Sequence, residues 1–177
     1  MLLFSGYNIL VMDNYVCKIA SLDEVASMFD FYIENDTEER QNWIIWKEHA
    51  LDNIKNNRTI NYHGLLNGKI ICEATAAIDG KNIQNSEGLI DTETAYLLAF
   101  RTLPEYRGQG YFSKLFSFMI NDLKSRGYKY ATIGVEPNEI KNKSIYEHYG
   151  FLEHIKTAQE KYPDGTTINV EYYRKSI

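Results

Sequence analysis

The chain has 177 residues, of which 44% are hydrophobic and 24% charged, with three prolines. That composition excludes collagen, low-complexity disorder and a coiled-coil rod, and it suits one domain burying about 70% of its unfolded surface. Asp and Glu outnumber Lys and Arg by 24 to 19, and the net charge of −5 argues against a nucleic-acid partner, which needs a dense basic surface. No apolar run reaches the roughly 18–20 residues needed to span a bilayer, so no membrane partner is expected. Cys17 and Cys72 form no CxxC pair and no metal-spaced cluster. They are expected as reduced, buried thiols of a cytoplasmic protein that holds no metal.

Residues 1–14 read as a short N-terminal extension, apolar but without the basic start and cleavage site of a signal peptide. Met12 is an alternative natural start. The single domain is expected over 15–177. Tyr15 to Ala20 reads as a strand. Ser21, with Glu24 three residues on, is a capping box that opens a helix through Tyr32. A second helix is predicted over 38–56, with Trp43, Trp46, Leu51 and Ile54 among its apolar members. Strands over 59–66 and 69–79 flank Asn67-Gly68, a strong hairpin signal. The polar stretch 80–92 is expected as a mobile loop. Residues 94–103 form an apolar strand, central and buried on both faces, which Pro104 ends.

The longest clean helix follows over 110–126, with Phe112, Leu115, Phe116, Met119, Ile120 and Leu123 in one stripe and Gly127 as its left-handed stop. A strand over 128–135, a short helix over 139–149 and a last strand pair over 151–160 and 166–174 complete the chain. Pro163-Asp164-Gly165 supplies the final turn. The alternation predicts an α/β layered domain with a mixed sheet.

The informative stretch is Pro104-Glu105-Tyr106-Arg107-Gly108-Gln109-Gly110-Tyr111-Phe112-Ser113, between a buried strand and the start of the longest helix. A helix N-terminus leaves about four backbone N–H groups free and carries roughly half a positive charge. Glycines let the backbone approach a ligand closely, and together these make a cradle for phosphate or pyrophosphate. Arg107 could touch the anion or brace the turn. Two glycines after a strand are a weak signal alone, since a tight capping turn looks the same. No GK[ST] follows, so it is not a P-loop, and the third glycine of a dinucleotide fingerprint is missing.

Context sharpens the signal. Strand, glycine turn, long helix, strand, short helix and then Tyr146-Glu147-His148-Tyr149-Gly150-Phe151 resemble the GNAT superfamily of N-acetyltransferases. That family's acetyl-CoA motif, [QR]xxGx[GA], is matched from Arg107 to Phe112. Its later Tyr-Glu-x-x-Gly-Phe signature is matched from Tyr146 to Phe151. With flanking elements the resemblance covers about 94–174. Two positions depart from the pattern. Phe112 stands where Gly or Ala is preferred, so its ring must turn into the core, and Glu139 stands where the family has asparagine. Asn138 and Asn142 are the nearby alternatives for a contact to the pantetheine arm.

The resemblance implies a GNAT-like sheet of about six to seven strands flanked by about four helices, with two parallel central strands splayed apart. It implies acetyl-CoA as acyl donor. The pantetheine arm would pair with the backbone near Phe100, Arg101 and Thr102, and the pyrophosphate would rest on the segment Arg107, Gly108, Gln109, Gly110, Tyr111, Phe112 and Ser113. The reaction implied is direct acetyl transfer to a primary amine, with Tyr146 as general acid. A protonated amine cannot attack, so a base or water must take its proton. Candidate bases are Glu136 and Glu73, with Glu93 and Glu105 behind them; all four could be ordinary solvated carboxylates.

Tyr32, Trp43 and Trp46 could line an amine pocket, though at helical spacing such residues more often belong to the core. His49, His63 and His148 have no metal spacing and read as surface or strand histidines. The hairpin around Tyr162 to Gly165 is implied to border the acceptor site. Nothing specifies one amine, so small-molecule and peptide acceptors both stay open, as does a homodimer. The alternative reading is a non-catalytic acyl-CoA sensor or partner-binding module on the same fold.

Overall fold

A computed structural model describes residues 14–177, so the readings made for the leader and for Met12 lie outside the described residues. The elements are β1 (Tyr15–Ile19), α1 (Leu22–Asn35), α2 (Arg40–Lys55), β2 (Thr59–Leu66), β3 (Lys69–Ala77), β4 (Thr94–Thr102), α3 (Tyr111–Ser125), β5 (Tyr130–Val135), α4 (Ile140–His148), β6 (Glu153–Lys161) and β7 (Thr167–Ser176). They build one seven-stranded mixed sheet in the order β1-β2-β3-β4-β5-β7-β6. Only β4 and β5 run parallel; every other neighbouring pair is antiparallel.

Local chemistry accounts for several of these elements. The Ser21 hydroxyl accepts from the Glu24 N–H at 3.3 Å, and the Ser21 N–H donates to the Glu24 carboxylate at 2.9 Å, which closes the capping box. Asn67 and Gly68 both have positive φ, 51° and 83°, as a tight hairpin turn of the twisted type requires. The apolar stripe of α3 is buried at Leu115, Phe116, Met119, Ile120 and Leu123, and Gly127 follows at φ 94°.

Side chains alternate between two cores. Ala74, Ala76, Ala95, Leu97, Ala131 and Ile133 face α3. Ala77, Tyr96, Val170 and Tyr172 face the other way, where Leu89 covers them. Val25, Met28, Phe29 and Trp43 form a third cluster between α1 and α2.

The segment between β3 and β4 differs from the mobile loop expected. Leu89 is fully buried. The Gln84 amide donates to Lys161 O at 2.8 Å, Asn85 Nδ2 donates to Gln159 O at 2.9 Å, and Lys156 donates back to Asn85 O at 2.6 Å. Side-chain amides here do the pairing that a strand backbone would do, so no periodicity marks the segment. Cys72 is buried but Cys17 is half-exposed, and both thiols are free. They flank Gly64 across three adjacent strands. Two strand spacings are about 10 Å, beyond disulfide reach.

Candidate active site

The site begins with a break in β4. Glu73 pairs with Arg101 and Thr75 with Leu98, so β4 carries one residue more than β3 over that interval. Ala99 takes the strain at φ 55°, the signature of a bulge. The bulge reverses the alternation. Phe100 turns toward Phe112, Phe116 and Tyr146, and Arg101 turns toward α1 and α2. Pairing between β4 and β5 also stops, at Leu97 with Ile133. Beyond that pair the two parallel strands separate, and the β4 edge over residues 98–102 has no strand partner on that side.

One cavity lies between that free edge, the glycine turn and α4. It is a groove of about 970 Å³ lined among others by Phe100, Arg101, Thr102, Arg107, Gly108, Gly110, Tyr111, Phe112, Ser113, Asn142 and Tyr146. Gly108 and Gly110 have φ of 74° and 82°, and a Cβ at either would meet nothing within 4 Å, so the backbone stands open to the groove. Gly110 caps α3 without a side chain, and no acidic residue occupies the first turn. The start of α3 therefore carries no side-chain carboxylate or cap that competes with an anion. Arg107 braces the turn: its Nε donates to Thr102 O at 2.9 Å. Gln109 is exposed and donates to Glu105 O, outside the groove. Phe112 turns its ring toward Phe100, at 5.0 Å between centroids, and toward Phe116 and Tyr149. That packing resolves the crowding its position threatened. Ser113 shares a 2.8 Å hydrogen bond with the Tyr149 hydroxyl. Asn138 is exposed and lies outside the groove, whereas Asn142 lines it and donates to Glu139 at 2.5 Å.

A second cavity of about 240 Å³ fills the gap between β4 and β5 and reaches β6 and β7. Tyr146 and Phe100 line both cavities. Glu136, Glu139 and Glu160 line the second one. Partial burial and the neighbouring charges of Glu139 and Glu160 push the Glu136 carboxyl above its usual range. Burial, with the Glu139 charge, pushes the Tyr146 hydroxyl up to about 12.

The other predicted residues have different places. Glu73 is 4% exposed, lines neither cavity, and forms an ion pair with Arg101 at 2.9 Å. The Arg101 guanidinium lies 4.6 Å from the Trp43 ring centroid and 5.7 Å from that of Tyr32. Glu73 is thus a buried carboxylate that anchors the half-buried Arg101, not a free base. Glu93 pairs with Lys129 and the exposed Glu105 with Lys69. Trp43 belongs to the core; Trp46 is half-buried and meets Tyr162 edge-on at 5.9 Å. His63 is a strand residue, as expected, but fully buried, while His49 is exposed and His148 lines the groove. Sequence reasoning missed Tyr96, Glu139 and Glu160 as cavity residues. Strand register brings in Tyr96 and Glu160, and the turn ahead of α4 brings in Glu139; no motif marks either.

The sequence profile of the acetyltransferase (GNAT) family matches residues 20–151. No curated protein matches the chain by sequence. Among solved structures, the ribosomal-protein-S18-alanine N-acetyltransferase from Escherichia coli is 18% identical with a TM-score of 0.66, over 92% of this chain and 94% of that one. The ribosomal L7/L12 alpha-N-protein acetyltransferase RimL in complex with coenzyme A is 15% identical with a TM-score of 0.67, over 92% and 94%. The putative acetyltransferase YncA from Salmonella typhimurium, with acetyl-CoA, is 14% identical with a TM-score of 0.60, over 92% and 93%. These likenesses show the same fold.

Proposed function

The chain belongs to the GNAT acetyltransferase family and is an acetyl-CoA-dependent acyltransferase, and we propose that it moves the acetyl group directly to a primary amine held in the cleft between β4 and β5. One observation carries this reading: Tyr146 lines both cavities, so a single side chain borders the donor groove and the acceptor cleft.

The residues of the groove suit the donor. The free β4 edge over 98–102 offers N–H and C=O groups to the amides of a pantetheine arm. The amides from Gly108 to Ser113 suit its pyrophosphate. When bound, acetyl-CoA supplies a thioester-activated acetyl group whose sulfur leaves as a thiolate. Tyr146 is protonated at neutral pH, as any phenol is, and burial holds its pKa higher still; it gives that proton to the departing sulfur. Glu136, raised by partial burial and by its neighbours, takes a proton from the incoming ammonium and passes it to solvent. Asn142, on the groove side of α4, holds Glu139 in place.

Fold neighbours named for acetylating ribosomal-protein amines make a peptide N-terminus one acceptor class to test. No helix among the described residues is long and apolar enough to cross a membrane. The two free thiols agree with a reducing, cytoplasmic setting. The test is release of free thiol from acetyl-CoA in the presence of a panel of small amines and N-terminal peptides. Amine-dependent release is expected. Tight acetyl-CoA binding without release for any amine would contradict the reading and favour a binding module.

A further inference from the structure

We infer that the acceptor carries a second positive charge close to its reacting nitrogen, and that the cleft takes a linear aliphatic diamine or polyamine. The inference rests on the reading of the cleft as the acceptor site. Charge is the first argument. Glu136, Glu139 and Glu160 line a single small cavity. Among the described residues none of the three forms an ion pair, and the nearby Lys143 is engaged by Glu171 instead. Glu160 accepts from the Tyr172 hydroxyl at 2.5 Å, which neutralises nothing. A single ammonium that must shed its proton to react leaves this cluster uncompensated. A second ammonium, which keeps its proton, compensates it.

An independent observation is Tyr96. Its side chain is 7% exposed and lines the cleft. Its hydroxyl makes no hydrogen bond among the described residues, and it stands 2.9 Å from where a Cβ at Gly134, another cleft residue, would be. The hydroxyl oxygen is available to accept an N–H from a group in the cleft. Size and lining complete the argument. The volume of about 240 Å³ is worth roughly eight waters at about 30 Å³ each. Leu98 and Ile168, on the Tyr96 side of the sheet, give part of the wall an apolar surface for methylenes. The Tyr162 ring adds a face for a cation. Such a slot fits a short unbranched chain with a charged nitrogen at each end.

The experiment measures thiol release from acetyl-CoA with 1-aminobutane, 1,4-diaminobutane, an alanine-starting neutral peptide and the same peptide with lysine second. The expected result is a kcat/KM for the diamine about tenfold or more above that of the monoamine, falling with salt. Glu160→Gln keeps an acceptor for the Tyr172 hydroxyl, and it should erase that preference while the Kd for acetyl-CoA stays unchanged. Glu139→Gln, at an exposed position, serves as the second variant if the first unfolds. Equal use of monoamine and diamine, or preference for either peptide, would overturn the inference while acetyl transfer stands. Failure of every amine despite acetyl-CoA binding would overturn the underlying reading as well.

Discussion

Tyr146 and Glu136 sit near one another but are tuned in different ways. Burial keeps the tyrosine protonated far above neutral pH. Burial, with the neighbouring carboxylates, makes the glutamate a stronger base than a solvated one. The acid limb of kcat/KM should therefore lie above the ordinary carboxylate range, and Glu136→Gln should abolish that limb; an unchanged limb would move the base role elsewhere. His63 makes a different pH prediction, about stability. It is buried, with Nδ1 lacking a partner, and burial lowers its pKa from 6.5 to about 4. Between those values the unfolded chain binds the proton that the folded chain refuses. Stability should thus fall as pH drops from 6.5 toward 4. His63→Gln should flatten the urea-unfolding midpoint across that window, provided the variant folds. Tyr146 was legible because a motif marks it. Tyr96 and Glu160 were not, because only strand register brings them to the cleft.

At the scale of elements, the bulge at Ala99 does most of the positioning. It sends Phe100 to the donor side and Arg101 to the α1–α2 side. The Arg101–Glu73 pair then docks Trp43 and Tyr32 against β4. Arg101→Met should destabilise the fold by roughly 3–5 kcal/mol, because it strands a buried carboxylate. The double variant Arg101→Met with Glu73→Met should recover most of that loss, as a double-mutant cycle in urea would show. Gly110→Glu places a carboxylate where an anion is expected, with room around it. Wild type should gain about 2.7 kcal/mol of unfolding free energy at 100 times the acetyl-CoA Kd. The variant should gain none, with ATP and NAD inert as controls for both. The capping box, the Asn67-Gly68 turn and α3 were legible because each is fixed within a few residues. The bulge and the packed segment after β3 were not, since both are set by cross-strand partners distant in sequence.

Across the whole molecule, two cavities of contrasting chemistry meet at one wall. The groove proposed for the donor lies at a helix start with no acidic residue in its first turn. The cleft proposed for the acceptor is lined by carboxylates that form no ion pair among the described residues. Family and fold were legible from two motifs in the right order, and the acceptor half was not, because its residues come from β4, β5, β6 and the final hairpin with no spacing of their own. The direct test is kcat for thiol release with Tyr146→Phe, measured beside the Kd for acetyl-CoA. Phenylalanine keeps the ring packing against Phe100 and Phe151 and removes only the hydroxyl. A fall in kcat of about 10²–10⁴-fold with an unchanged Kd is the expected result. A kcat equal to wild type across the pH range would contradict the account.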